Sequence, residues 1–388
     1  MHLTAYADVQ RAIRLFPSRA LQRLLALHAR ECAALGLDLD RLADEDDATV
    51  HSWLRARSSL LPLALADDLE RIDDLARDRG ATTLAEAAKR AGSTLGGLGH
   101  DPLEVAVRAF LDQRPIFEAA HGRHVLSTLR SATVFAGRRG GRSAALPDAR
   151  LRKLEADLGR QFDARDRSAH CRVTQGSDED RLVFTVAHGA LVRTDEALDE
   201  RPMLVCEGDA PVYLSDRAVR YRPQRRDVVV YEAGAGRLRV RAGEAATVKA
   251  YRRAFGELLF GDAEWFGTGP VVSLEPLSQL GRKVEVPTPG LREVRVVGLI
   301  LRHDDPAGSM ALEADEIWPY LDGNLSHGLD GAEILEVDFR MFVAGSNAVG
   351  NVKVRAPNHV GYSSRLPDEL VRPFLEKRGL LARAEAEA

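Results

Sequence analysis

Between residues 6 and about 130 the apolar side chains recur at three- and four-residue steps, and from Cys171 onward they recur at every second position. The first period belongs to helices that bury one stripe, the second to strands that bury one face. Val9, Ile13 and Phe16 lie a turn apart, and Leu21, Leu24, Leu25 and His28 resume the stripe behind Pro17 and the capping residue Ser18, until Gly36 ends it. Over 63–79, Leu65, Leu69, Ile72 and Leu75 share one helix face, Asp67, Asp68, Glu70, Asp73 and Asp74 lie largely on the other, and Gly80 supplies the stop. Thr83 and Glu86 have the spacing of a capping box in front of Ala87. Asp101 and Pro102 open a further helix, and Leu151, Leu154 and Leu158 mark one over 147–162.

The later segments read as strands. Residues 181–188, 228–231 and 238–240 are short β-prone runs bounded by Gly and Asp. Residues 294–301 are almost continuously apolar, which suits a strand buried on both faces. Leu335, Val337, Phe339, Met341 and Val343 alternate with Glu336, Asp338, Arg340 and Phe342, and 352–355 repeats the alternation. Helical spacing returns over 247–260 and again over 367–378, where Gly379 ends it. The pattern predicts an α+β chain: an all-α N-terminal helical domain over 1–136, a Gly/Arg-rich linker over 137–146, and a β-rich, largely antiparallel domain over 147–388 with one or two helices, divisible near 270–290.

Composition narrows the class. At 388 residues the chain is too long for a single typical core, and with 45% hydrophobic and 29% charged residues it can bury one or more cores beneath a solvated surface. No apolar run approaches the roughly 20 residues needed to span a bilayer. The opening MHLTAYADVQ lacks a basic stretch followed by an apolar one, so a cytoplasmic location is expected. Cys32, Cys171 and Cys206 form an odd trio without CxxC spacing, which argues against a disulfide framework and a structural zinc site. Lysine occurs at six positions only, so 48 of the 54 basic residues are arginine, yet 58 acids leave a net charge of -4. Because that bias runs through the whole chain, as a GC-rich coding sequence would produce, only local arginine clusters point to a binding role.

Two such clusters stand out: Arg138, Arg139 and Arg142 in the Gly-rich stretch GRRGGRS, and Arg220, Arg222, Arg225 and Arg226 around Tyr221 and Pro223. Arginines interleaved with Gly or an aromatic suit phosphate clamping and base stacking, against the plainer reading of solvated loops paired with acids. Residues 83–98, TLAEAAKRAGSTLGGL, have the outline of a helix-turn-helix, but the second half offers no Arg, Lys, Asn or Gln to read base edges. His188 and Cys171 sit at the ends of a predicted hairpin, where a Cys/His pair could activate a thiol, and His303 and Asp304 follow the apolar strand, where acids can serve metal-dependent chemistry. Each has a duller alternative, a buried cysteine and a surface turn. Tyr251, Phe260, Trp265 and Phe266 make the richest aromatic patch, a candidate partner-docking surface or a core-packing helix.

Phosphate-loop, GxGxxG, GxSxG, HExxH and EF-hand patterns are absent, so no cofactor and no metal is expected and the common nucleotide, hydrolase and zinc-protease chemistries lose their support. The expectation is a non-enzymatic cytoplasmic interaction or regulatory subunit of a bacterial multi-protein system, with a protein partner. The alternatives are a nucleic-acid-associated accessory protein, for example in genome or phage defence, binding through the local arginine clusters, and an atypical hydrolase or nuclease.

Overall fold

The computed structural model describes residues 16, 18–34, 48, 62–96, 101–129, 131–138, 146–165, 167, 169–178, 180–189, 193–196, 204–207, 210–213, 218–221, 224–302, 308–319, 321, 332–363 and 365–382. Helices come first: α1 (Ser18–Leu27), α2 (Ala29–Ala34), α3 (Leu63–Ala76), α4 (Asp78–Arg90), α5 (Pro102–Asp112) and α6 (Arg114–Thr128). Strand β1 (Ser131–Ala136) and helix α7 (Asp148–Asp163) follow, then β2 (Cys171–Asp178), β3 (Arg181–Gly189), β4 (Arg193–Glu196), β5 (Leu204–Glu207), β6 (Ala210–Tyr213), β7 (Ala218–Tyr221), β8 (Gln224–Glu232) and β9 (Arg237–Arg241). Helices α8 (Ala245–Phe260) and α9 (Glu275–Leu280) separate these from β10 (Leu291–Arg302), β11 (Ser309–Glu313), β12 (Glu333–Val343), β13 (Val349–Arg355) and β14 (His359–Tyr362), and α10 (Asp368–Lys377) comes last.

Ten strands form one sheet in the order β11-β10-β12-β13-β14-β1-β9-β8-β3-β2, and its pairings from β11 through to β8 are antiparallel. The chain is therefore α+β, a helical N-terminal region ahead of a large antiparallel sheet, as its periodicities imply. Two compact units divide it: Met1–His121, Pro147–Thr174 and Val186–Arg226 form the first, and Gly122–Leu146, Gln175–Thr185 and Asp227–Ala388 the second. Each unit is assembled from stretches far apart in sequence. Most of the expected linker, 139–145, lies outside the described residues.

In the first unit Leu21, Leu24, Leu69 and Ile72 of the predicted stripes are buried in the core together with Leu84 and Phe117, while Val9, Ile13 and Gly36 lie outside the described residues. Two local readings change. Helix α4 begins at Asp78, so Thr83 sits inside it and its hydroxyl donates back to the Arg79 carbonyl at 2.8 Å instead of capping a new helix. Gly80 is not the stop of α3, which ends at Ala76; a Cβ at Gly80 would lie 2.0 Å from the Asp74 carbonyl oxygen, so glycine is what lets α4 start this close to the end of α3. After Gly92 the described residues form a 3-10 turn, Thr94–Gly96, where a helix-turn-helix would begin its second helix, and 97–100 lie outside them.

The second unit builds its core on one face of β10, β12, β13 and β14, where Val296, Leu299, Val337, Phe339, Val352 and Val354 meet Phe374 and Leu375 of α10. Glu336, Asp338, Arg340, Asn351, Lys353 and Arg355 take the opposite face, the alternation visible in the sequence. β10 is buried through most of its length, as its apolar run predicts, but it lies between two antiparallel neighbours and shifts register against β12 near Gly298 and Ile300.

Candidate ligand pocket

In the second unit, β8 and β9 form a hairpin that sets Glu232 opposite Arg237 and Val230 opposite Arg239. Arg237 and Arg239, two apart in RLRVR, therefore point to one face of β9. Val134 on β1 lies opposite Arg239 in the next strand pair, and β14 brings Val360 and Tyr362 alongside. Across from these strands runs α10, whose Asp368, Val371, Arg372 and Leu375 fall at helical steps of three, four and seven and so share a face. Together with Leu381 these residues line a small cleft with a cavity volume of about 20 Å3. Its accessible surface is almost wholly aliphatic, and the charged groups of its floor lie engaged with one another beneath it.

The floor is a connected set of ion pairs. One terminal nitrogen of Arg239 lies 3.2 Å from Glu232 Oε1 and 3.0 Å from Asp368 Oδ1, and the other donates to the Tyr362 hydroxyl at 2.7 Å. Tyr362 in turn donates to Asp368. Arg237 places Nε 3.2 Å from Glu232 Oε2 and donates to Glu376 at 2.5 Å and to the Ala382 carbonyl at 3.2 Å. Arg181 joins the set from β3, 3.1 Å from Asp178 and 3.4 Å from Asp368. Arg372 stands at the mouth, 31% exposed, with Glu232 Oε1 3.6 Å away, which is an ion-pair distance and too long for a hydrogen bond.

Burial would push the Asp368 carboxyl up, but the Arg239 charge and the Tyr362 hydrogen bond outweigh it and hold the group below its ordinary range. Burial drives the Tyr362 hydroxyl well above the usual phenol value despite Arg239. Arg239 is held far above its already high value because the attraction of Asp368, Tyr362 and Glu232 outweighs its own desolvation. Near neutral pH all three groups thus keep fixed protonation states.

The residues singled out from sequence fall elsewhere. In the first unit Arg226 is consumed by the acidic face of α3: it lies 2.9 Å from Asp67, 2.9 Å from Glu70 and 3.1 Å from Asp74. Arg172 lies 2.8 Å from Asp68, and His28 Nε2 meets the other oxygen of that carboxylate at 2.9 Å. Asp67, Asp68 and Asp73 are therefore interior groups, Asp67 at 1% and Asp68 at 2% exposure, where simple amphipathicity would leave them in solvent. Arg225 is half-buried beside Arg226. Arg138, in the second unit, pairs with Asp262 at 2.7 Å. Arg220 lies on β7 opposite Thr194, while Arg139, Arg142 and Arg222 lie outside the described residues, as do His303 and Asp304.

Cys171 and His188 do fall on neighbouring strands, β2 and β3. His188 is fully buried with its ring stacked on Phe162 at 4.4 Å, and its Nδ1 lies 3.1 Å from the Gly189 carbonyl, the surroundings of a core histidine. The aromatic patch packs on itself: Phe260 stacks on Trp265 at 4.2 Å and meets Phe266 edge-on, and the buried Tyr251 hydroxyl donates to Asp227 at 2.9 Å. Sequence reasoning passed over Glu232, Arg237, Arg239, Tyr362 and Asp368. The available signal was a pair of arginines inside a β-prone run, a charge pattern that an interior strand tolerates only when partners are supplied.

Among the described residues no group of three or more His, Cys, Asp or Glu is arranged to hold a metal ion, and no helix is long and apolar enough to cross a membrane. No protein-family model matches the chain, and no curated protein matches it.

Proposed function

We propose that the protein is a non-enzymatic interaction or regulatory subunit and that the surface around the small cleft bounded by β8, β9, β14 and α10 is where it meets what it recognises. The observation that carries this reading is the fixed charge of the floor. Acid–base catalysis draws on groups that titrate near the working pH, whereas Asp368 and Arg239 are held away from it by each other's charge and Tyr362 by its burial. A rigid, hydrogen-bonded polar floor beneath an aliphatic wall is suited to recognition. The cytoplasmic, bacterial multi-protein setting of this role rests on composition alone. Nucleic-acid association is the weaker reading, since Arg138 and Arg226 both sit against carboxylates.

The test is affinity capture from the native host with wild-type protein, Arg372→Glu and Leu381→Phe, the last narrowing the cleft from its wall. A partner or effector that co-purifies stoichiometrically with wild type should be lost from both variants while their thermal unfolding stays cooperative. Equal recovery with all three proteins would overturn the reading.

A further inference from the structure

We infer that the outer edge of β11 accepts an extended segment of a partner protein in which aliphatic and basic side chains alternate; this goes beyond the recognition role proposed for the cleft and does not rest on it. The ten-stranded sheet ends at β11 on one side and at β2 on the other. At β2 the edge is engaged: the Val173 amide donates to Glu155 of α7 at 2.8 Å, and the Gln175 side chain accepts from the Leu146 amide at 3.0 Å. At β11 it is open. Among the described residues β11 pairs with β10, from Ser309 opposite Arg302 to Glu313 opposite Gly298, and its backbone makes no bond to any other segment. Unpaired amides and carbonyls along such an edge are what an incoming strand completes.

The two faces of β11 specify the side chains of that strand. Met310 stands opposite Leu301 and Leu312 opposite Leu299, and both are half-buried at the rim of the core that these leucines enter. The other face shows Ser309, Ala311 and Glu313, all exposed. Alternate residues of an added strand fall on one face, so every second one extends the apolar rim and those between lie beside Ser309, Ala311 and Glu313. Glu313 sets the charge of that second row. It is aligned across β10 with Gly298 and then with Asp338, so two carboxylates flank a position that has no side chain. The neighbouring cations are already engaged: Lys353 between Glu336 and Asp338, Arg355 with Glu336, Arg340 with Asp315, Arg295 between Glu293 and Glu316, and Arg302 with Glu333. None of these acids is Glu313. The strand reads SMALE, without a basic residue, so a second copy of β11 would leave Glu313 unmatched, whereas a lysine or arginine on the added strand matches it.

Fluorescence anisotropy of the full chain with three labelled heptapeptides tests this: Lys-Val-Lys-Val-Lys-Val-Lys, Glu-Val-Glu-Val-Glu-Val-Glu and Lys-Pro-Lys-Val-Lys-Pro-Lys. The last keeps the charge of the first but loses amides needed for pairing. The first should bind about tenfold or more tightly than either of the others, and Glu313→Lys should remove its advantage over the acidic peptide. In wild-type protein, amide hydrogen exchange over Ser309–Glu313 should slow when the first peptide is bound, a readout that needs no variant. Equal affinity for the proline or the acidic peptide, no binding of the first, or unchanged exchange in β11 overturns the inference. So does a concentration-dependent dimer that slows the same amides, which would put a second copy of the chain on the edge.

Discussion

Tyr362 takes a hydrogen bond from Arg239 and gives one to Asp368, so a single hydroxyl joins the two charged groups of the cleft floor. Tyr362→Phe keeps the ring and deletes that link, and urea unfolding should show a loss of about 1–3 kcal/mol, the cost of buried charged partners losing a hydrogen bond. Asp338 is the opposite case. Burial raises its carboxyl more than Lys353, 3.4 Å away, lowers it. A carboxyl whose folded pKa is raised contributes stability below its unfolded value, about 3.9, and loses it as pH rises through the folded value. Asp338→Asn should therefore raise the urea midpoint modestly at pH 7 and leave it unchanged at pH 3. Neither residue was marked by sequence chemistry, because what distinguishes them is the identity of neighbours on other strands. Gly80 was legible as a helix-boundary residue, but its role in admitting the Asp74 carbonyl follows only from where α3 and α4 meet.

The elements divide by how local their causes are. Strands β12 and β13 follow directly from strict alternation, since each residue's face is set by its neighbours along the chain. β1, only six residues long, was absorbed into the helical region, and it is a strand because β14 and β9 supply its hydrogen bonds on either side. Helix α3 was legible as a helix, but its polar side was not legible as buried. Its acids are accommodated inside because Arg172 and Arg226 reach them from 100 or more positions away. Arg226→Met should expose that dependence: leaving Asp67 and Glu70 buried beside an apolar side chain costs about 3–5 kcal/mol, read as a lower melting temperature of the helical signal in circular dichroism. Were Arg226 a nucleic-acid contact instead, the same change would leave stability intact and weaken salt-sensitive binding.

At the level of the whole molecule, the interior ion pairs set the pH range of stability. Asp68, Asp368 and Glu336 are held below their ordinary values: burial raises each, but His28 and Arg172 outweigh it at Asp68, Arg239 and Tyr362 at Asp368, and Lys353 and Arg355 at Glu336. Groups lowered on folding contribute stability above their unfolded values, about 4, and lose it as pH falls through the folded values. The urea midpoint should therefore be nearly flat from pH 5 to 7 and drop below about pH 4, with Asp368→Asn shallowing the drop. Glu155, raised by burial more than Val173 and the arginines lower it, acts in the other sense, like Asp338. The net charge of -4 gives no hint of this, because it sums charges without regard to which of them face each other.

By itself the sequence determined the α+β class, the apolar stripes and most of the longer helices and strands, since these depend on residue spacings within one turn or one strand pair. The tertiary structure decided which charges are partners. Arg226 changed from a surface candidate into the counterion of α3, and Arg237, Arg239, Tyr362 and Asp368, spread over more than 130 positions, became one cleft. Electrostatic pairing depends on distance through space, and an arginine that reads the same at every position along the chain acquires its role from the carboxylate the fold sets before it.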